Sequence, residues 1–291
     1  MQVAVLGLGQ MGVPIANRLE EAGHELSVWN RSPGPAAAFA DRGVRVLENP
    51  SEAWEHADVC VTMLADGPAV EAVTLGDDGL LAGDAHGALI DMSTIGADSS
   101  ARVAEECERR GVSFLRAPVS GNPSVIEAGN LGIMVSGPKK AFDRLGDLLR
   151  AIGPNVFYVG AAEESRIVKL ALNLMIGGTA ELIAEALVLA EKHGVDRAAM
   201  LEVMGGSAMG SPFVKYKTEA LVADDYGSTF SSSQLYKDLA LALAAAHDAG
   251  APLPVTAVTQ QLVEACIATG MGDADFTALL PRLRRDAGLE G

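Results

Sequence analysis

Residues 7–12 read GLGQMG and stand between the apolar run QVAVL and the amphipathic pattern VPIANRLEEAG. Strand, glycine turn and helix in that order commit the start of the chain to a βαβ arrangement. Gly7 permits the tight turn, Gly9 lets backbone approach a pyrophosphate, and Gly12 lets helix pack on strand. The amino end of the helix then presents free N–H groups and a positive dipole end to an anion. A lone GxGxxG is a weak pattern, because glycine-rich turns recur throughout α/β proteins. Here the strand, the helix and the position near the start of the sequence agree, which favours a dinucleotide over a plain turn. Leu8, Gln10 and Met11 complete the turn and count with the glycines as candidate cofactor-binding residues.

The alternation continues to about residue 160. VAVLGL (3–8), HELSVW (24–29), DVCVTML (58–64), GALIDMS (87–93), VSFLRAP (112–118), LGIMVSG (131–137) and NVFYVG (155–160) read as strands, apolar on both faces, as in a mostly parallel sheet covered by helices. Between them SSARVAEECERRG and KKAFDRLGDLLRAIG, like VPIANRLEEAG, read as helices stopped by a glycine. This predicts a doubly wound Rossmann-type α/β domain over residues 1–161. Beyond it the strand pattern disappears. Helical patterns follow at about 163–193, 196–205, 211–223, 231–249, 254–269 and 275–287, predicting an all-helical domain over 162–291. The first of these is about 45 Å long at helical rise and apolar on most of its circumference. Such a helix belongs in a core or between subunits, so a homodimer or homotetramer is expected, with the site in a cleft between the domains.

The next strand ends VWNRS. Enzymes that prefer NAD usually place Asp or Glu there to bind the ribose 2′-OH; this chain has Asn30, Arg31 and Ser32. A carboxylate would repel a 2′-phosphate, whereas a guanidinium and two small hydrogen-bonding side chains accept one. NADP is therefore the expected cofactor, NADPH binding better than NADH; an ordinary surface arginine is the alternative.

Charge and cysteine content exclude other classes. The 22 Lys and Arg are dispersed among 38 carboxylates for a net charge of −16, which disfavours nucleic acid and an anionic membrane. The three cysteines form no CxxC pair and the five histidines show no metal-ligand spacing. No run of some 18 residues is free of glycine and charge, and MQVAVLGLG runs straight into a strand pattern. A cytoplasmic protein without a metal is the expectation.

One lysine stands out. Residues 165–178, SRIVKLALNLMIGG, are almost wholly apolar yet hold Lys169, one of only seven lysines, with Asn173 four residues on. Alone, Lys169 could snorkel its amine past a helix end, and Asn173 could bond backbone in a kinked helix. With GLGQMG, DMST (91–94), APVSG (117–121), KLALN (169–173) and KDLALA (237–242) in this order, however, the chain resembles the β-hydroxyacid dehydrogenases over nearly its full length. The group includes 3-hydroxyisobutyrate dehydrogenase, tartronate semialdehyde reductase and the glyoxylate/succinic semialdehyde reductases. GMGDADFTAL (270–279) looks like the family's C-terminal turn.

The resemblance implies a Rossmann domain, then an all-helical domain entered through a long helix, and hydride exchange between nicotinamide and a small hydroxy acid or its carbonyl partner. It implies Lys169 as catalytic lysine with Asn173 beside it at the substrate. Met63 and Leu64 would line the path from adenosine to nicotinamide, Thr94 would contact the nicotinamide side, and Lys237 would reach the cofactor with Asp238 as its partner. Ser120 and Gly121 would offer hydroxyl and amide donors to a substrate carboxylate. The chemistry asks for such residues in any case. A carbonyl taking up hydride needs a proton and a positive charge near its oxygen, and apolar surroundings lower a lysine's pKa so that it can exchange that proton.

The chain departs from the family in SGNPSVIEAGNL (120–131), where a glycine-rich loop is usual. Asn122 replaces a glycine, either adding a side-chain donor or blocking the usual carboxylate pose, and Pro123 removes an N–H. Arg116 stands where Asp is common. Imine reductases share the VWNRS-like strand end but generally lack a lysine at the place of Lys169, so imine chemistry is the runner-up. A non-catalytic NADPH-binding module is the reading from another class.

Overall fold

The structure, a computed structural model, describes residues 1–289. Nine strands form one sheet: β1 (Gln2–Leu6), β2 (Glu25–Trp29), β3 (Arg45–Val46), β4 (Val59–Thr62), β5 (Ala88–Asp91), β6 (Ser113–Arg116), β7 (Val119–Ser120), β8 (Gly132–Ser136) and β9 (Asn155–Gly160). Their order is β3-β2-β1-β4-β5-β6-β8-β7, with β9 paired to β8. The run from β3 to β6 is parallel, β8 lies antiparallel to β6 and β7, and β9 returns parallel to β8.

Alternation along the strands explains why the sequence reads as doubly buried. Val3 and Val5 join Val59, Val61, Ala88, Ile90 and Leu115 in a core on one face. Their neighbours Ala4, Leu6, Cys60, Leu89 and Phe114 join Trp54, Leu80 and Val103 on the other. Successive side chains point to opposite faces, so both must be apolar. The covering helices are α1 (Gly12–Glu21), α2 (Gly34–Ala40), α3 (Ala53–His56), α4 (Gly67–Leu75), α5 (Ala97–Arg110), α6 (Pro123–Glu127) and α7 (Lys139–Ile152).

Helix α8 (Glu164–Lys192) follows, then α9 (Arg197–Gly206), α10 (Pro212–Val222), α11 (Ser232–Ala249), α12 (Pro254–Cys266) and α13 (Leu279–Asp286). The starts of α9, α10 and α11 carry side-chain caps: Asp196 accepts from Ala199 N, Ser211 from Val214 N, and Ser231 forms a reciprocal capping box with Gln234. Ile183, Leu187, Leu201, Leu235, Leu239, Val263 and Phe276 form the core of this part. By length and composition α8 could cross a membrane, its apolar window averaging a hydropathy of 1.5, with 39% of that window buried in the chain.

The chain packs as two units, Met1–Leu170 and the residues from Ala171 on. This division by packing falls inside α8, whose first turn is bonded into the sheet unit: Ser165 Oγ donates to the Arg116 carbonyl at 3.1 Å. Two expectations are modified. The glycine after α5, Gly111, does adopt the left-handed conformation (φ 72°), but Gly153 after α7 is extended. A Cβ on Gly153 would sit 2.5 Å from the Leu131 carbonyl oxygen, so close packing demands that glycine. The segment 120–131 is not an irregular loop throughout, since it contains α6.

Candidate active site

The glycine turn is built by steric necessity. Gly7 has φ +99°, and a Cβ there would lie 2.3 Å from the Met63 carbonyl oxygen; one on Gly12 would lie 1.8 Å from the Gly7 carbonyl oxygen. Helix α1 thus packs on the turn itself. A Cβ on Gly9 would meet nothing within 4 Å, which leaves that backbone open to approach. No side chain caps the start of α1, so its first N–H groups suit an anion. These features fit a dinucleotide pyrophosphate.

Around the turn the residues divide their tasks. Leu8 is buried in the core and can serve a ligand through its backbone alone, while Gln10 is exposed and Met11 half-buried. Asn30 clamps the end of β2 to the turn: its Oδ1 accepts from Leu8 N at 2.8 Å and its Nδ2 donates to the Ser32 carbonyl at 2.8 Å. Asn30 therefore shapes the pocket, and Arg31 and Ser32 are the exposed residues beside it.

The ends of β4 and β5 meet in a buried polar network. Asp91 Oδ1 accepts from Thr62 Oγ1 at 2.7 Å and Ser93 Oγ at 2.6 Å, and Ser93 Oγ accepts from Leu64 N at 2.9 Å. Asp91 Oδ2 pairs with Arg166 Nη2 at 2.5 Å, with both side chains essentially inaccessible. Met63 and Leu64 are half-buried behind β4, and half-buried Thr94 follows Ser93. Neither Asp91 nor Arg166 was singled out from the sequence. The signal available was an arginine in the first turn of an otherwise apolar helix.

Lys169 is half-buried on α8, and Asn173 follows one turn later on the same continuous helix. Asn173 is buried, and its Nδ2 donates to Asp238 Oδ2 on α11 at 2.5 Å. Lys237 Nζ lies 3.2 Å from the other oxygen of Asp238. A single buried carboxylate thus orients an amide on α8 and holds the neighbouring ammonium on α11. The first of these two roles was not apparent from the sequence. Farther along α8, burial and then the nearby Glu185 charge push the Glu181 carboxyl up to about 7.

On the first unit, Ser120 lies in β7 paired with Gly132. Gly121 has φ +141°, and a Cβ there would fall 2.8 Å from Val125 Cγ1. Asn122 caps α6, its Oδ1 accepting from Val125 N at 3.0 Å and Ser124 Oγ at 2.8 Å, with Pro123 at the first helical position. The carbonyl end of Asn122 therefore shapes the loop. Arg116 has a local cause as well: its Nε donates to Glu163 Oε1 at 2.8 Å while its guanidinium lies 4.6 Å from the centre of the Phe114 ring.

Comparison with known proteins gives the family. Residues 2–160 match the family described as the NAD-binding domain of 6-phosphogluconate dehydrogenase. Residues 164–283 match the one described as "NAD-binding of NADP-dependent 3-hydroxyisobutyrate dehydrogenase". The chain is 35% identical to 3-hydroxyisobutyrate dehydrogenase of Pseudomonas aeruginosa, over 89% of this chain and 90% of that protein. It belongs to the β-hydroxyacid dehydrogenase family.

Oxidoreductase YfjR of Bacillus subtilis is 36% identical over 96% of this chain and 99% of its own length. The solved 3-hydroxyisobutyrate dehydrogenase of Mycobacterium tuberculosis superposes with a TM-score of 0.86 at 31% identity, covering 98% of this chain and 99% of that one. An imine reductase from a Pseudomonas species superposes less well, with a TM-score of 0.66 at 26% identity over 97% and 98% of the two chains. As a β-hydroxyacid dehydrogenase the protein is an NAD(P)-dependent oxidoreductase, with residues 2–160 matching an NAD-binding domain. Among the described residues no cluster of three or more His, Cys, Asp or Glu is placed to hold a metal ion.

Proposed function

We propose that this β-hydroxyacid dehydrogenase uses NADP(H) to interconvert a small 3-hydroxy acid, or a related alcohol, with its semialdehyde or ketone, with Lys169 as general acid/base. The observation that carries this reading is the pairing of half-buried Lys169 with Asn173 one turn along α8, the latter fixed by the buried carboxylate of Asp238. Bound nicotinamide supplies or accepts the hydride. Lys169 Nζ then gives a proton to the oxygen that becomes a hydroxyl, or takes it back in the oxidative direction. Asn173 orients the same oxygen or the ammonium, and Ser120, Gly121 and Asn122 form the substrate loop. By the family resemblance, Lys237 would contact the cofactor, and Met63, Leu64 and Thr94 would border it.

Preference for NADP(H) is supported by exposed Arg31 and Ser32 standing where a carboxylate would select NAD. The family matching residues 164–283 is also described for an NADP-dependent enzyme. A homodimer or homotetramer is supported by the exposed side chains Met175, Leu182 and Leu189 on α8, each more than 60% accessible and seven residues apart. We place the protein in the cytoplasm with a small-molecule substrate and neither nucleic acid nor membrane as partner. Its acidic balance and three buried free cysteines support this.

The test is an oxidation screen with NADPH and with NADH over short semialdehydes, β-keto acids, uncharged ketones and cyclic imines. Turnover of a semialdehyde or keto acid with NADPH supports the reading. Turnover confined to imines, or NADPH binding without any turnover, would replace it by one of the two alternatives.

A further inference from the structure

One turn before Lys169, Arg166 makes a set of bonds beyond what anchoring a helix requires. Its Nη2 donates to Asp91 Oδ2 at 2.5 Å, its Nη1 to the Ser93 carbonyl at 2.7 Å and its Nε to Ser100 Oγ at 3.3 Å. These partners lie at the end of β5, in the turn after it and on α5. A planar guanidinium held at three points fixes the rotation of α8 about its axis as well as its distance from the sheet. The carboxylate is tied in turn to Thr62 and Ser93, and Ser93 receives the N–H of Leu64. One network therefore joins the helix turn that carries Lys169 to the two strand ends that carry Leu64 and Thr94.

Apolar contacts would hold a helix end to a sheet without the desolvation cost of a buried charge pair. What the ion pair adds is direction. Lys169 lies about 4.5 Å along the helix from Arg166 and is turned about 60° from it, so a small rotation of α8 at Arg166 carries the lysine amine with it. We propose that Arg166, through its ion pair with Asp91, is a positioning residue: it sets the rotation of α8, and with it the aim of Lys169, against the β4 and β5 ends that border the cofactor. The inference rests on the reading of Lys169 given above.

Three variants test it: Arg166→Met, Arg166→Lys, and Arg166→Met combined with Asp91→Asn. The double variant removes both charges while the asparagine oxygen still accepts from Thr62 and Ser93. Each is measured for melting temperature, for NADPH affinity by fluorescence titration, and for kcat and KM on the substrate found in the screen. The rate of acylation of Lys169 in cofactor-free protein, read by peptide mass spectrometry, reports on the lysine without turnover.

In the double variant the melting temperature and NADPH affinity are expected to stay near those of the parent, while kcat falls about tenfold or more with little change in KM. The Lys169 acylation rate is expected to change by about threefold or more. Arg166→Lys should recover part of the kcat lost in Arg166→Met. The inference is overturned if the folded double variant keeps its kcat and acylation rate. Loss of NADPH affinity in step with kcat overturns it too. A double variant that does not fold is equally fatal, because the pair would then hold the unit together and not aim the lysine. Lys169→Ala, run alongside, separates the two readings. If it turns over normally, the lysine assignment itself fails; if it is inactive while the Arg166 variants are not, only the present inference fails.

Discussion

At the scale of single residues, the proposed preference for NADPH rests on Arg31. Asn30 resembles a ligand for the 2′-phosphate in the sequence, yet its side chain bridges Leu8 and Ser32. Under the proposed reading, the exposed guanidinium and hydroxyl that follow would then distinguish the two dinucleotides. Arg31→Ala is expected to weaken NADPH binding by about tenfold, the value of one charge-assisted contact, and to leave NADH affinity unchanged. Parallel loss of both cofactors in a fluorescence titration would show that Arg31 acts on the fold of the turn. Residue identity was legible where sterics dictate it, as at Gly7 and Gly12. It was not legible at Asn30 or Asn122, nor in the bond from Asn173 to Asp238, because each is defined by a hydrogen-bond partner that folding supplies.

Among the elements, α8 carries the most consequence. The sequence placed it at about 163–193 and the structure at Glu164–Lys192; α11, expected over 231–249, runs Ser232–Ala249. Such bounds were legible because caps and periodicity are local, as in the Ser231–Gln234 box. Short β3 and β7 and the single turn of α6 were missed, since two to five residues hold too little pattern to read. The Asp91–Arg166 pair spans 75 positions and leaves no local trace. Glu181, on the same helix, gives a pH prediction. Its carboxyl is raised to about 7 in the folded chain, by burial first and by Glu185 second. Between the ordinary carboxylate range and pH 7 the folded state therefore holds a proton that the unfolded state has lost. Stability falls as pH rises through that window and levels off above it. Glu181→Gln removes the charge, so it should stabilise the protein at pH 8 by about 2–3 kcal/mol and change little at pH 4. Denaturant titrations at the two pH values check this, and a gain equal at both would place the effect in packing.

For the whole molecule the open question is what covers α8. Met175, Leu182 and Leu189 recur every seven residues on its exposed side, and Val255 and Val258 add apolar surface on α12. Patches of this kind mark association. Light scattering is expected to give a multiple of the 30.1 kDa chain mass, and Leu182→Lys with Leu189→Lys to shift the population toward single chains. A monomeric parent would contradict the expectation. The family and its two-part architecture were legible because five motifs fall in order along the chain; association was legible only as an excess of apolar surface.

The proposed function rests on Lys169 as the group that exchanges a proton with the substrate oxygen. Its most direct test is turnover by Lys169→Ala with NADPH and the best substrate of the screen, measured beside NADPH affinity. The expected result is affinity near that of the parent with kcat lowered about a hundredfold or more, within the range for losing a general acid/base. Near-parental kcat in the alanine variant would contradict a proton-exchanging role for Lys169.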